Sequence, residues 1–277
     1  MPRLPHPTPA ELRRDPLPLR GRTALVTGAS RRAGIGHAVA RRLAAYGASV
    51  YLHHHVPHDA DQPWGADRPE DVLASVRDAL GDPGARVVAG PGDLADPAVP
   101  AELVARAADA LGGRLDILVA NHAQSGFDGT LDEIDATMLD RHWAVDTRSV
   151  VLLIQAHARL RPAGPGGRVV MMTSGQDIAS GMPGEMAYAL QKGALASITR
   201  SLSTALAEQG ITVNTVNPGP VDTDYLTGAD YEAVAAGFPS GRWGMPDDPA
   251  RLIAWLATDE AGWITGEVIN SEGGFRR

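Results

Sequence analysis

Tyr188 and Lys192 stand four residues apart in a stretch, residues 186–209, whose pattern reads as helix, so the two side chains share one face. A lysine cation beside a phenol favours the phenolate and lowers the phenol pKa from about 10 towards the working range. Such a group can give a proton to a carbonyl oxygen or take one from an alcohol. The bare pattern Tyr-x-x-x-Lys is common, and on a solvated helix it is only a surface pair. Two features set this pair apart. Ser174 precedes Tyr188 by fourteen residues, at the end of a short β-rich run (168–172), and a glycine-rich turn suited to a dinucleotide lies upstream.

That turn is Thr27-Gly28-Ala29-Ser30-Arg31-Arg32-Ala33-Gly34-Ile35-Gly36, between a β-rich run (22–27) and a helical one (34–46). Glycines there permit a tight turn and close backbone approach to a pyrophosphate, whose charge meets the helix N-terminus. A glycine-rich turn alone is equally an ordinary strand-to-helix connection. Its place after the first strand of an α/β pattern favours the nucleotide reading.

Enzymes of this kind that use NAD place an acid after the second strand to hold the ribose 2′-hydroxyl. Here that strand runs into His53-His54-His55, and no acid follows until Asp59. Arg31 and Arg32 approach the same region from the glycine turn, and arginine suits a 2′-phosphate. NADP(H) is therefore expected over NAD(H), with His54 and His55 near the adenosine end. The three histidines alternate between strand faces and cannot all ligate one ion, so no metal site is read there. The plainer alternative is a polar strand end with no ligand role.

The elements that must hold these residues alternate. Strands are expected at 22–27, 48–53, 86–89, 115–120, 168–172, 211–216 and 267–270, and helices at 34–46, 70–80, 97–111, 136–159, 186–209 and 248–257. Residues 57–69 read as a loop. Strands alternating with helices of this length imply right-handed crossovers and a parallel sheet. The expected fold is α/β: a Rossmann-type doubly wound parallel sheet in three α/β/α layers, one domain over residues 19–277. Ligands of such sheets bind at the carboxyl ends of the strands, where every motif above falls. Pro2, Pro5, Pro7, Pro9, Pro16 and Pro18 make residues 1–18 an extended arm.

Bulk composition narrows the classes. The chain of 277 residues is 44% hydrophobic and 21% charged, as in an ordinary globular protein. It has no cysteine, which excludes disulfides, a thiolate nucleophile and Cys-based zinc sites. A formal charge of -8 argues against a general nucleic-acid binder. No apolar run follows the early arginines and none is long enough to span a bilayer, so no secretory signal and no membrane partner are expected, and the cytoplasm is the expected compartment.

Taken together, the glycine turn, Ser174 and Tyr188-Ala-Leu-Gln-Lys192 resemble the short-chain dehydrogenase/reductase family, in particular members similar to ketoacyl reductases with a lengthened glycine loop. The likeness runs from about Leu19 to Gly274. Gly28 and Gly34 stand two residues farther apart than in the family's T-G-x-x-x-G-x-G fingerprint. The resemblance implies that Ser174 hydrogen-bonds and orients the substrate oxygen, that Tyr188 is the acid/base, and that Lys192 serves both phenol and nicotinamide ribose. Ser180, mid-loop, is the less favoured serine. It also implies Asp93 and Leu94 beside the adenine, and Asn121 and Ala123 of Asn121-His122-Ala123-Gln124 along the cofactor. Pro218, Gly219, Val221 and Thr223 would lie at the nicotinamide carboxamide.

Asp146 stands where the family usually has Asn in its catalytic set. A carboxylate there would partly offset the lysine's field at Tyr188 and raise the phenol pKa; the plainer alternative pairs Asp146 with Arg148 or solvent. Gln124, Gln176, Met182 and Tyr225 are expected around a ketone or secondary-alcohol substrate, with Phe127, Met186, Tyr231 and Phe238 flanking. The family likeness implies a homotetramer or homodimer. Three functions remain open: an NADPH-dependent ketone reductase, a catabolic alcohol dehydrogenase using NAD, and a dinucleotide-sensing regulator on the same fold.

Overall fold

Strand β1 (Thr23–Val26) is buried at every residue and leads through the glycine turn into α1 (Ile35–Ala45). Next come β2 (Ser49–His54), a short α2 (Val56–Ala60) and α3 (Pro69–Arg77), then β3 (Val87–Pro91), α4 (Val99–Ala110) and β4 (Ile117–Ala120). The long helical stretch that follows is α5 (Ala136–His142), a π-turn (Trp143–Arg148) and α6 (Ser149–Leu160). The remainder is β5 (Gly167–Met172), α7 (Met186–Leu206), β6 (Ile211–Asn217), α8 (Gly228–Ala236), α9 (Asp247–Leu256) and β7 (Val268–Asn270). The computed structural model describes residues 8, 12–178 and 181–276.

The seven strands form one parallel sheet in the order β3-β2-β1-β4-β5-β6-β7. The order reverses between β1 and β4, and the crevice at that switch point is where doubly wound sheets bind ligands. One face is covered by α1, α3 and α9 through Val39, Leu43, Val72, Ile253 and Leu256. The other is covered by α4, α6 and α7 through Leu103, Leu153, Ile154 and Leu195. Each such side chain, fully buried, contributes about 1.5–3 kcal/mol of transfer free energy. Leu19 is fully buried, and its N–H donates to the Tyr46 carbonyl.

Three local differences from the sequence expectations matter for the site. Residues 57–69, expected as loop, open with α2, where a proline early in the helix costs no hydrogen bond. Residues 222–241 contain α8, which the sequence reading left unassigned. The helix expected at 136–159 is interrupted at residues 143–148 by the wider π-turn, the kind of irregularity that recurs at functional sites.

Candidate active site

A cleft of about 840 Å³ opens over the carboxyl ends of β1, β2, β4, β5 and β6. Its nucleotide-like end is the glycine turn. Gly28 has φ 66°, and a Cβ there would lie 2.6 Å from the Cα of His122. A Cβ on Gly36 would lie 2.5 Å from the Gly28 carbonyl oxygen and 2.7 Å from Asn121 Nδ2. Both positions are thus closed to any side chain, which lets α1 start hard against the sheet. Gly34 caps α1 without a side-chain hydrogen bond, and no acid lies in the first turn. The positive end of the helix therefore faces the cleft, lined there by Gly28, Ser30, Arg31, Gly34 and Ile35, and this cradle fits a pyrophosphate.

Asn121 pins that cradle to the sheet. Its Nδ2 donates to the carbonyls of Thr27 (3.1 Å) and Gly28 (3.0 Å), and its N–H donates to Thr27 Oγ1 at 3.0 Å. The next residue, His122, is buried between Thr27 Oγ1 (2.7 Å) and Ser149 Oγ (2.7 Å), and burial holds its pKa well below the usual imidazole range.

Arg31 lines the cleft, its guanidinium donating to the Thr223 carbonyl at 3.0 Å and lying 5.4 Å from the Trp64 ring centroid. Arg32 does not line it. Its N–H donates to Asp67 at 2.7 Å, its side chain pairs with the same carboxylate at 3.5 Å, and it faces a smaller neighbouring cavity. The expectation of two cleft arginines is corrected to one.

The histidine expectation also shifts. His55 lines the cleft and its N–H donates to Ser30 Oγ, but the second lining histidine is His53, whereas His54 turns to the opposite face of β2. His53 accepts the Gly28 N–H at Nδ1 (3.3 Å), sits 2.9 Å from the Gly92 carbonyl at Nε2, and is pushed down to about 4 by burial.

Leu94 and Asp93 line the same end, Asp93 with its carboxylate closing a turn to the Ala95 N–H at 2.9 Å. Since α4 begins only at Val99, Asp93 is not that helix's cap.

At the other end Ser174, Tyr188, Met182 and Tyr225 line the cleft with Asn121, Ala123, Gln124, Pro218, Gly219, Val221 and Thr223. Lys192 lies beneath the floor and does not line it. It is 2% exposed, its Nζ donates to the Met172 carbonyl at 3.3 Å and sits 5.3 Å from the Tyr188 ring centroid. Gln176 likewise does not line the cleft; its Oε1 accepts the Ser174 N–H at 3.2 Å and so shapes the serine's loop. Ser180 lies outside the described residues. Tyr231 and Phe238, expected as flanking groups, instead pack on Trp243, with ring centroids 4.8 Å and 6.2 Å away.

The electrostatics at Tyr188 reverse one expectation. Its phenol is pushed up, not down, first by burial and then by the Asp146 and Glu185 carboxylates, with a Ser174 hydrogen bond opposing. Lys192 stands over the ring face, and burial pushes its own pKa down while Asp146 pushes it back up. Asp146 itself is fully buried. It accepts the Gln124 N–H at 2.7 Å and pairs with His142 Nδ1 at 2.9 Å; Arg148, the partner in the plainer alternative, donates instead to the Ala95 carbonyl.

Several lining residues were not legible in the sequence. α2 and the turn after it bring Pro57, His58, Asp59 and Trp64 over the cleft mouth, where His58 Nε2 meets Ser125 Oγ at 2.9 Å. Asp128 and His142 line the Ser174 and Tyr188 end. The only sequence signal for His142 was its place one turn before Asp146, the i,i+4 relation of side chains on one helix face.

A parallel sheet that holds a nucleotide cradle at one end of a cleft and a buried Tyr/Lys pair beside a serine at the other defines an oxidoreductase dependent on a nicotinamide dinucleotide. The family model described as Enoyl-(Acyl carrier protein) reductase matches residues 28–276, and the chain belongs to the short-chain dehydrogenase/reductase family. It is 43% identical over 256 residues to the Bacillus subtilis protein named "Uncharacterized oxidoreductase YjdA", covering 92% of this chain and 96% of that one. It is 33% identical over 279 residues to the Arabidopsis thaliana "NADPH-dependent aldehyde reductase-like protein, chloroplastic", covering 97% and 99%. Among solved structures, a short-chain dehydrogenase from Burkholderia cenocepacia in complex with NADP superposes with a TM-score of 0.80 at 36% identity, covering 92% of this chain and 98% of that one. No helix among the described residues is long and apolar enough to cross a membrane.

Proposed function

We propose that this chain is an NADP(H)-dependent carbonyl reductase that interconverts a ketone and a secondary alcohol, with Tyr188 as general acid/base. The observation that carries the reading is the placement of Arg31 and Tyr188 along one continuous cleft, the arginine beside the helix N-terminus and the phenol beside Ser174. The nicotinamide, when bound, supplies or accepts the hydride. Gly28, Ser30, Gly34 and Ile35 would hold the pyrophosphate, Arg31 and His55 the 2′-phosphate end, Leu94 and Asp93 the adenine, and Val221 and Thr223 the carboxamide. Preference for NADP(H) is supported by the free run from His53 to His58 without an acid, and by the NADP bound in the Burkholderia cenocepacia relative.

In the reductive direction Ser174 donates a hydrogen bond to the substrate oxygen and holds it against Tyr188. The raised phenol pKa keeps Tyr188 protonated at neutral pH, the form an acid needs in order to protonate the developing alkoxide. Lys192 contributes a positive field from below the ring, and Asp146 moderates it. Gln124, Met182 and Tyr225 surround the substrate with amide, thioether and aromatic surface, suited to a ketone of middling polarity. Exposed Trp143 and Leu190, on the π-turn and α7, are consistent with assembly as a homodimer or homotetramer. The test is NADPH oxidation against a broad panel of ketones and aldehydes, with NADP+ reduction by the matching alcohols run in parallel. Turnover that requires Tyr188 supports the reading; cofactor binding without turnover of any pair rejects it in favour of a sensor.

A further inference from the structure

His142 is fully buried at the end of α5, where three separate segments meet. Its Nδ1 lies 2.9 Å from Asp146 Oδ2 in the π-turn. Its Nε2 lies 3.2 Å from the Gly126 carbonyl and 3.9 Å from Asp128 Oδ2, both in the loop after β4. Its ring stands edge-on to Tyr188 of α7, with centroids 6.4 Å apart and planes at 84°. The two carboxylates around it are themselves spoken for by backbone. Asp146 Oδ1 accepts the Gln124 N–H at 2.7 Å, and Asp128 accepts the N–H groups of Ala187 and Tyr188 at 2.9 and 2.8 Å.

A carbonyl oxygen only accepts, and so does an ionised carboxylate. With Asp146 ionised, both ring nitrogens of His142 face acceptors, and the arrangement is satisfied when both carry hydrogen, as in an imidazolium. Its charge answers two buried carboxylates that would otherwise have only neutral backbone donors beside a phenol, a costly arrangement in a poorly solvated interior. Consistently, Asp146, Asp128 and the Gly126 carbonyl together hold the His142 pKa above the usual imidazole value against the opposing effect of burial.

We infer that His142 is a positioning residue for Tyr188: its imidazolium clamps Asp128 and Asp146, and so fixes the start of α7, the loop after β4 and the π-turn while partly offsetting the Asp146 charge that acts on the phenol. The inference rests on Tyr188 being the acid/base. The charged and titratable groups that face the ring are Asp146 and Asp128 at its nitrogens and Tyr188 at its edge. Lys192 and Glu185 act on the same phenol, and exposed Arg141 is held nearby through Gln124 Oε1 at 3.0 Å.

The sign of the effect is fixed by this geometry. His142→Asn keeps a donor toward Asp146 but removes the positive charge, so the phenol feels the Asp146 carboxylate without its counter-charge and its pKa rises. Asp146→Asn removes one carboxylate and lowers it. The experiment is the pH profile of kcat/KM for alcohol oxidation with NADP+. The basic-group pKa is expected to move up by about one unit in His142→Asn, down in Asp146→Asn, and back toward the wild-type value in the double variant. A uniform loss of activity in His142→Asn with no movement of that pKa, or a double variant as displaced as the single, overturns the inference.

Nitrogen-15 NMR of the wild-type protein with labelled histidine supplies a readout that needs neither a folded variant nor turnover. Two protonated ring nitrogens at pH 7.5 are expected for His142, and a neutral tautomer there overturns the clamp. Tyr188→Phe is run alongside. Retained turnover in it overturns the acid/base reading together with this inference, whereas an unmoved profile with Tyr188→Phe inactive overturns this inference alone.

Discussion

The Asp128 carboxylate caps the helix that carries Tyr188: its Oδ2 accepts the Tyr188 N–H at 2.8 Å, and its Oδ1 accepts the Ala187 N–H at 2.9 Å. Asp128 lies about sixty residues upstream, in the loop after β4, so the first turn of α7 is held by a side chain from a separate segment that also lines the cleft. Glu185, the residue that precedes the helix, makes no side-chain cap. First-turn N–H groups have no partner within their own helix, and a carboxylate there also meets the positive end of the helix dipole. Tyr188 and the loop after β4 are thereby one mechanical unit.

Asp128→Ala is expected to destabilise the protein by about 1–2 kcal/mol, the usual cost of a lost N-cap. Because the lost cap belongs to Tyr188's own turn, kcat is expected to fall more than KM rises. Urea unfolding and steady-state kinetics on the same preparation check both halves. Unchanged stability with unchanged kcat would show that α7 does not depend on this cap.

Tyr188→Phe is expected to abolish turnover, by at least about a hundredfold, while leaving NADPH binding near wild type, since the ring keeps its packing. Lys192→Ala is expected to lose turnover and some folding stability as well, because it leaves a cavity under the ring and an unpaired Met172 carbonyl. Fluorescence titration of NADPH and single-turnover reduction separate binding from chemistry. A Tyr188→Phe enzyme that keeps most of its activity when chemistry limits the rate would remove this residue from the acid/base role.

The two arginines of the glycine turn are expected to differ. Arg31→Ala should lower the NADPH-over-NADH ratio of kcat/KM by about ten- to a hundredfold, the loss of one charge-assisted phosphate contact. Arg32→Ala should change it little, because that side chain is engaged by Asp67 outside the cleft. Kinetics with both cofactors in both variants decide the matter; an equal effect of the two substitutions would contradict the cleft geometry.

Stability is expected to fall as the medium is acidified from pH 7 to 5. His53 and His157 are buried, and both are pushed down to about 4 by loss of solvation. A depressed folded-state pKa means that the unfolded chain binds the proton first. The stabilisation is therefore complete above about pH 6.5 and is lost progressively as the pH approaches 4. Each histidine accounts for about 2 kcal/mol of that loss at pH 5. His142 runs the other way: its raised pKa adds stability below about pH 6.5, which wanes as pH rises through the folded value. Urea unfolding at pH 7 and 5 measures the net slope, and His157→Gln should flatten it.

The sequence by itself determined a doubly wound parallel sheet and the family. Alternating apolar strands and amphipathic helices leave few other topologies, and a glycine turn, Ser174 and Tyr188/Lys192 at fixed spacings mark both ends of the cleft. Direction was what tertiary structure decided. Arg31 and Arg32 are adjacent and chemically identical, yet one faces the cleft and the other Asp67; His53, not His54, lines it with His55, because the pleat of β2 sets which of two neighbours points where.

Long-range electrostatics were legible only in part: Asp146 stood out as a carboxylate that raises the Tyr188 phenol pKa, but the dominance of burial and the partners of Asp146 did not. The sign of the shift at Tyr188 depends on burial and on Asp146, and Asp146 in turn on His142 and Gln124. The π-turn that carries Asp146 and the loop that carries Asp128 meet only once the sheet has brought β4 and α7 together. Spacing along the chain can name the groups that share one helix face; which charges gather in a buried space between separate elements is fixed by packing alone.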